Sequence, residues 1–127
     1  VKEEDINVDL DQETIFVRPT KGNIIRSYKK GTNEGIDISA KAGSDVLSAD
    51  KGIVAAITKD TNGVSILVIK HTDGLLTVYT NIDNLMVKKG DPVARGQKIA
   101  KVNKGSPEFL HFEVRKGLES VDPENFI

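Results

Sequence analysis

Hydrophobic and polar positions alternate with a period of two along most of this chain, and turn residues interrupt the alternation roughly every ten positions. Ile24 and Ile25 follow a Pro19–Gly22 turn, and Ile36 and Ile38 flank Asp37 in strict alternation. The strongest strands are predicted over Gly52 to Thr58 (GIVAAIT) and Val64 to Lys70 (VSILVIK), joined by a hairpin turn through Asp60–Gly63. Leu75 to Ile82 follows a second turn at Asp73–Gly74, and Lys98 to Val102 and Phe109 to Val114 close the series. No segment sustains a helical period, and Asp122–Asn125 is at most one turn. The pattern predicts an all-β domain.

The first residues do not share this pattern. Val1 to Gln12 is acidic (Glu3, Glu4, Asp5, Asp9, Asp11) with weak alternation at Ile6, Val8 and Leu10. It reads as a linker or an edge-hugging tail over residues 1–14, with the domain proper over 15–127. Within the domain, Lys41-Ala-Gly-Ser-Asp-Val46 and Lys88-Lys-Gly-Asp-Pro-Val93 each place a valine three residues after a glycine and run on into an apolar strand. They read as two turn-to-strand corners of one sheet, ahead of a true duplication. A carrier domain presenting a lysine for biotin or lipoate also has such corners, but Lys51 and Lys70 lack the hairpin-tip setting it needs.

Composition narrows the class further. The chain has 127 residues, enough for one domain with a sizeable core. With no cysteine, neither a disulfide framework nor a thiolate metal site is available. The net charge of −1, from 18 basic and 19 acidic side chains mixed along the chain, leaves no footprint for nucleic acid and no polybasic arm for a membrane. The longest apolar run, Val64 to Ile69, is interrupted by Ser65 and is too short to span a bilayer. A start at Val1 reads as a fragment or processed form.

Three separated stretches carry the chemistry: Asn33-Glu-Gly-Ile-Asp37, Thr77-Val-Tyr-Thr-Asn81 and Phe109-Leu-His-Phe-Glu-Val-Arg115. In their order around the two hairpins and Val87–Ala100 (VKKGDPVARGQKIA), and with the Val121–Pro123 ending, they resemble the LytM-type zinc peptidases of the M23 family. The resemblance runs from Phe16 to Ile127. It implies a two-layer β-sandwich-like fold with a groove at the active site. In active members the first motif reads His-x-x-x-Asp, the second ends in a tyrosine followed two residues later by histidine, and the third contains His-x-His. The first histidine, the aspartate and the last histidine hold zinc there, leaving an open position for water, and the other two histidines assist it.

This chain departs from that pattern at Asn33, Asn81 and Phe109, where the resemblance calls for histidines. Asp37 and His111 are all that remains of the zinc ligands, one fewer than a catalytic zinc takes. An asparagine amide suits hard cations better than zinc, and neither Phe109 nor Asn81 can move a proton. The remaining histidine, His71, sits at a strand end where the family often has one that is not a ligand. The expectation is a domain without catalytic residues, metal or cofactor, keeping Asn33, Asp37, Asn81, Phe109 and His111 as vestigial positions.

By pattern alone Asp37 is an outward polar residue, His111 an ordinary sheet histidine on the same face as Phe109, Glu113 and Arg115, Arg115 the partner of a neighbouring acid, and Tyr79 a core aromatic. The resemblance turns Asp37 and His111 toward the groove, paired where a metal once bridged them. It also makes Tyr79, Phe109, His111 and Arg115 a partner-binding surface. Degenerate LytM domains of the NlpD and DipM type bind and activate cell-wall amidases in the bacterial envelope. The resemblance therefore implies an inactive domain of the periplasm or cell envelope that regulates peptidoglycan hydrolysis during division. Its partner would be an N-acetylmuramoyl-L-alanine amidase, with no nucleic acid and no membrane contact by this domain. Two other readings are a non-catalytic module that binds peptidoglycan itself and a rewired zinc endopeptidase; strand order does not bring His71 or Glu34 to the metal position.

Overall fold

A computed structural model describes residues 14–127; the acidic stretch expected as a linker lies outside the described residues except for Thr14. The described residues form ten strands and one 3-10 turn. In chain order these are β1 (Ile24–Arg26), β2 (Ile36–Ser39), β3 (Asp45–Leu47), β4 (Gly52–Lys59), β5 (Ser65–Lys70), β6 (Leu75–Asp83), β7 (Pro92–Val93), β8 (Lys98–Val102), β9 (Phe109–Lys116), β10 (Glu119–Val121) and η1 (Pro123–Asn125). The fold is all-β, as the alternation predicts, and none of the described residues belongs to a helix long and apolar enough to cross a membrane.

Local chemistry sets the corners. The β5–β6 turn holds Asp73 and Gly74 at φ 62° and 73°, the double left-handed conformation of a type I′ hairpin, which Asp-Gly adopts readily. At the β4–β5 turn the Asp60 carboxylate accepts the N–H groups of Asn62 (2.8 Å) and Val64 (3.0 Å), an Asx arrangement that closes the loop. Asp122 caps η1 by accepting the Glu124 N–H at 3.0 Å, with Pro123 at the first helical position, where a missing N–H costs nothing.

All strand pairings are antiparallel, and the main run is ordered β1-β2-β9-β6-β5-β4-β7. Two strands share their edges between partners. β9 pairs first with β2 (Asp37 opposite His111) and then, beyond it, with β10. β6 pairs with β9 as far as Thr80 and then passes to β8, with Ile82 opposite Val102. The changeover falls on Asn81, which leaves the extended conformation at φ 70°. The β3–β8 pair thereby joins the main run only at the end of β6. The core draws on the main run and on the β3–β8 pair: Ile36, Leu67, Ile69, Tyr79, Leu110 and Phe112 from the run, and Val46, Ile99, Ala100 and Val102 from β3 and β8.

The run ends bluntly at both sides. β1 has three residues and a register break between Ile24 and Arg26. β7 has two, one of them a proline. Short strands such as β7 and β10 carry too little pattern to be read from sequence; their partners define them.

Candidate functional site

Strand register assembles one open cleft of about 320 Å³. In β9, Leu110, Phe112 and Val114 are buried, so Phe109, His111, Glu113 and Arg115 take the opposite face. Cross-strand pairing puts Asp37 on one side of His111 and Thr80 on the other. Arg26 of β1 lies opposite Asp37. Asn33 comes from the loop before β2, fixed by its backbone N–H to the Lys29 carbonyl (2.7 Å) and its amide Nδ2 to the Ser27 carbonyl (3.0 Å). Asn81 donates Nδ2 to the Phe109 carbonyl at 2.6 Å, pinning the start of β9 beside the strand corner. Asp60 and Val64 of the β4–β5 turn form the remaining wall.

Asn33, Asp37, Asn81, Phe109 and His111 thus line a single cleft with Arg26, Thr80, Asp60 and Val64. From the cleft a chain of alternating charge runs out along the same face of the sheet. Arg26 Nε lies 2.8 Å from Asp37 Oδ2, and Asp37 Oδ1 lies 2.6 Å from His111 Nδ1. His111 Nε2 lies 2.9 Å from Glu113 Oε2, while Arg115 donates Nε to Glu113 Oε1 (2.9 Å), with Nη2 in ion-pair contact at 2.8 Å. Ionised carboxylates only accept, so both ring nitrogens of His111 carry protons and the ring is an imidazolium. Burial by itself disfavours that charge, but the hydrogen bonds to Glu113 and Asp37 outweigh it and raise the His111 pKa. Glu113 behaves in mirror image: burial pushes its pKa up, and donation from His111 and Arg115 brings it below the usual carboxylate range.

These residues do not fit a catalytic zinc. Asp37 and His111 supply two donors where three are needed, and they are hydrogen-bonded to each other through His111 Nδ1. Asn33 is committed to Ser27. Among the described residues no three His, Cys, Asp or Glu side chains gather in a way that could hold a metal ion.

Two residues expected in the partner-binding groove stand elsewhere. Tyr79 is fully buried and points into the core, against Phe112 (ring centroids 5.5 Å). Strict alternation puts Tyr79 on the same face as Asn81, but the left-handed residue at 81 breaks the alternation, so one faces the core and the other the cleft. Arg115 shares the face of His111 yet lies outside the cleft lining; it holds Glu113 and donates Nη1 to the Leu118 carbonyl (3.0 Å). Arg26 and Thr80, by contrast, line the cleft without any signal in the sequence, because only the strand register places them there.

Tyr79 belongs instead to a buried polar relay. His71 Nδ1 is 2.7 Å from the Lys51 carbonyl, which can only accept, so Nδ1 carries the proton. Burial lowers the His71 pKa, and Nε2 lies 2.8 Å from the Thr77 hydroxyl. Thr77 Oγ1 in turn donates to the Tyr79 hydroxyl oxygen (2.8 Å), which also accepts the Ala49 N–H (2.9 Å). Burial raises the Tyr79 pKa to about 12. Tyr79→Phe should cost about 1–2 kcal/mol in chemical denaturation, the penalty for orphaning buried partners, with the cleft unaltered.

A second groove, of about 930 Å³, lies between Phe16, Val17, Leu47 and Ile127. It is larger but mainly apolar, and none of the residues of the three motifs lines it.

Comparison with known proteins adds the following. Residues 16–123 match the family model for peptidase family M23. The chain is 34% identical over 116 residues to the uncharacterized lipoprotein YgeR of Escherichia coli K12, covering 86% of this chain and 45% of that protein. It is 32% identical over 114 residues to the murein hydrolase activator NlpD of the same organism, covering 86% of this chain and 30% of the relative. Among solved structures, a zinc containing peptidase from Vibrio cholerae superposes with a TM-score of 0.76 at 30% identity, covering 85% of this chain and 39% of that one. The chain therefore spans less than half the length of each.

Proposed function

Because the chain belongs to peptidase family M23, we propose that it is a catalytically inactive, LytM-type member that regulates peptidoglycan hydrolysis. It does so in the bacterial periplasm by binding and activating a cell-wall amidase, an N-acetylmuramoyl-L-alanine amidase, during division. The working unit is the domain over residues 15–127. The observation that carries the reading is the state of the cleft. A cleft is present, but Asp37 and His111 satisfy each other, and Asn33, Asn81 and Phe109 can bind but cannot move protons. A relative of 32% identity that bears the name murein hydrolase activator supports the regulatory role.

An aromatic ring at the rim of a polar cleft is the kind of anchor on which interface energy concentrates. Phe109 is half-buried in the free domain, so its outer face remains for a partner. The test mixes the domain with periplasmic amidases of its own organism and follows sacculus digestion. Wild type should accelerate release of soluble fragments while releasing none alone. Phe109→Ala should lose at least tenfold of the stimulation, about 1.4 kcal/mol or more, with the thermal midpoint nearly unchanged. A wild-type domain that leaves amidase rates untouched but pellets with sacculi would transfer the assignment to peptidoglycan binding. Digestion by the domain alone would remove the inactive reading altogether.

A further inference from the structure

We propose that Arg26 is the resident cation of the cleft: its guanidinium, and not the lack of histidines alone, keeps divalent metal off Asp37 and His111. The inference deepens the inactive reading and rests on it.

The Asp37 side chain is only 3% exposed, and a carboxylate that deep needs positive charge held against it. In a metallopeptidase of this family the metal would supply that charge. Here Arg26 Nε lies 2.8 Å from Oδ2 as an ion pair while His111 Nδ1 lies 2.6 Å from Oδ1, so each carboxylate oxygen already has a cationic group against it. The position is built by register: Arg26 sits directly opposite Asp37 across the β1–β2 pair. The break between Ile24 and Arg26 lies immediately before it. Its side chain is 64% exposed, spanning from solvent at the cleft mouth to the buried acid. A cation arriving at Asp37 would meet a fixed like charge and would have to displace it. Arginine serves this role better than lysine would by geometry, since its planar fork holds a carboxylate in a set orientation and stays charged at any working pH.

The proposal makes restoring a ligand insufficient. Asn33→His supplies the third donor that the family pattern calls for, yet leaves Arg26 in place. The experiment measures zinc affinity by competition with a fluorescent chelator, together with the zinc-induced shift in thermal midpoint, on the wild-type chain and four variants. These are Arg26→Gln, Asn33→His, Asn33→His/Arg26→Gln and Asn33→His/Arg26→Lys. The expected result is that Asn33→His/Arg26→Gln binds zinc at least tenfold more tightly than Asn33→His alone and gains thermal stability on zinc addition. Asn33→His/Arg26→Lys, which retains a charge, should stay close to Asn33→His. Equal affinity of Asn33→His with and without Arg26, or no zinc binding by either, would overturn the role given to Arg26. Stoichiometric zinc on the wild-type chain would instead sink the inactive reading, a separate outcome. Circular dichroism of each variant checks the fold, and Arg26→Ser replaces Arg26→Gln if the longer amide disturbs β1.

Discussion

Gly35→Ala should lower stability by about 2–4 kcal/mol, the range of severe packing defects, and the thermal midpoint by roughly 5–15 °C. Gly35 directly precedes β2, and a Cβ built there would lie 2.4 Å from the Phe112 carbonyl oxygen and 2.7 Å from Glu113 Cγ. The nearer obstacle is backbone and cannot swing away. β2 would have to separate from β9, opening the pairings of Ile36 with Phe112 and Asp37 with His111 on which the cleft is built. Gly31→Ala is the control. Nothing lies within 4 Å of an added Cβ there, and its φ of 84° makes the penalty one of conformation alone, about 1 kcal/mol. Thermal melts of the two variants separate crowding from strain. Equal losses would show that the close approach of Gly35 to β9 is dispensable.

His71→Ala carries a loss of similar size, about 2–4 kcal/mol, because three effects coincide. The ring packs tilted against Phe16 (centroids 5.2 Å), its Nδ1–H satisfies the Lys51 carbonyl, and its Nε2 meets the Thr77 hydroxyl in the buried relay. The same residue sets a pH dependence. Burial lowers its folded pKa below the ordinary value of 6.5, so its contribution is present above that value and is lost as pH falls through it. His111 has the opposite sign. Its folded pKa is raised, so its contribution is complete below 6.5 and is lost as pH rises through the folded pKa. Urea titrations between pH 5 and pH 7.5 should therefore diverge. His111→Gln should lose stability on acidification with a slope of at most about 1.4 kcal/mol per pH unit, and His71→Gln should gain it. Parallel profiles for the two variants would contradict the assignment of the relay and of the charge chain.

Alternation made β2, β4, β5, β6, β8 and β9 legible, since each buries one face against the core. It was the resemblance that set Tyr79 in the groove; by pattern alone it reads as a core aromatic, and it is buried in the core. A period of two assumes that every residue is extended, and Asn81 at φ 70° is not, so the face assignment reverses within β6. Asparagine tolerates that conformation better than most residues, but nothing in its neighbourhood announces the turn. The pairing of Asp37 with His111 followed from the motif frame, and the structure places them 2.6 Å apart. Arg26 escaped notice for a different reason: its partner is set by the register of an edge strand, and register is a property of the folded pair rather than of either segment.

The blunt ends of the main run bear on how the domain behaves in company. A sheet of this length would offer neighbouring copies a template for strand addition if its edges were long and straight. β1 is short and broken in register, and β7 is two residues with Pro92 unable to donate. Such edges resist stacking into fibrils. Copies of a domain built this way can therefore sit side by side at high local concentration, each with its cleft left separate.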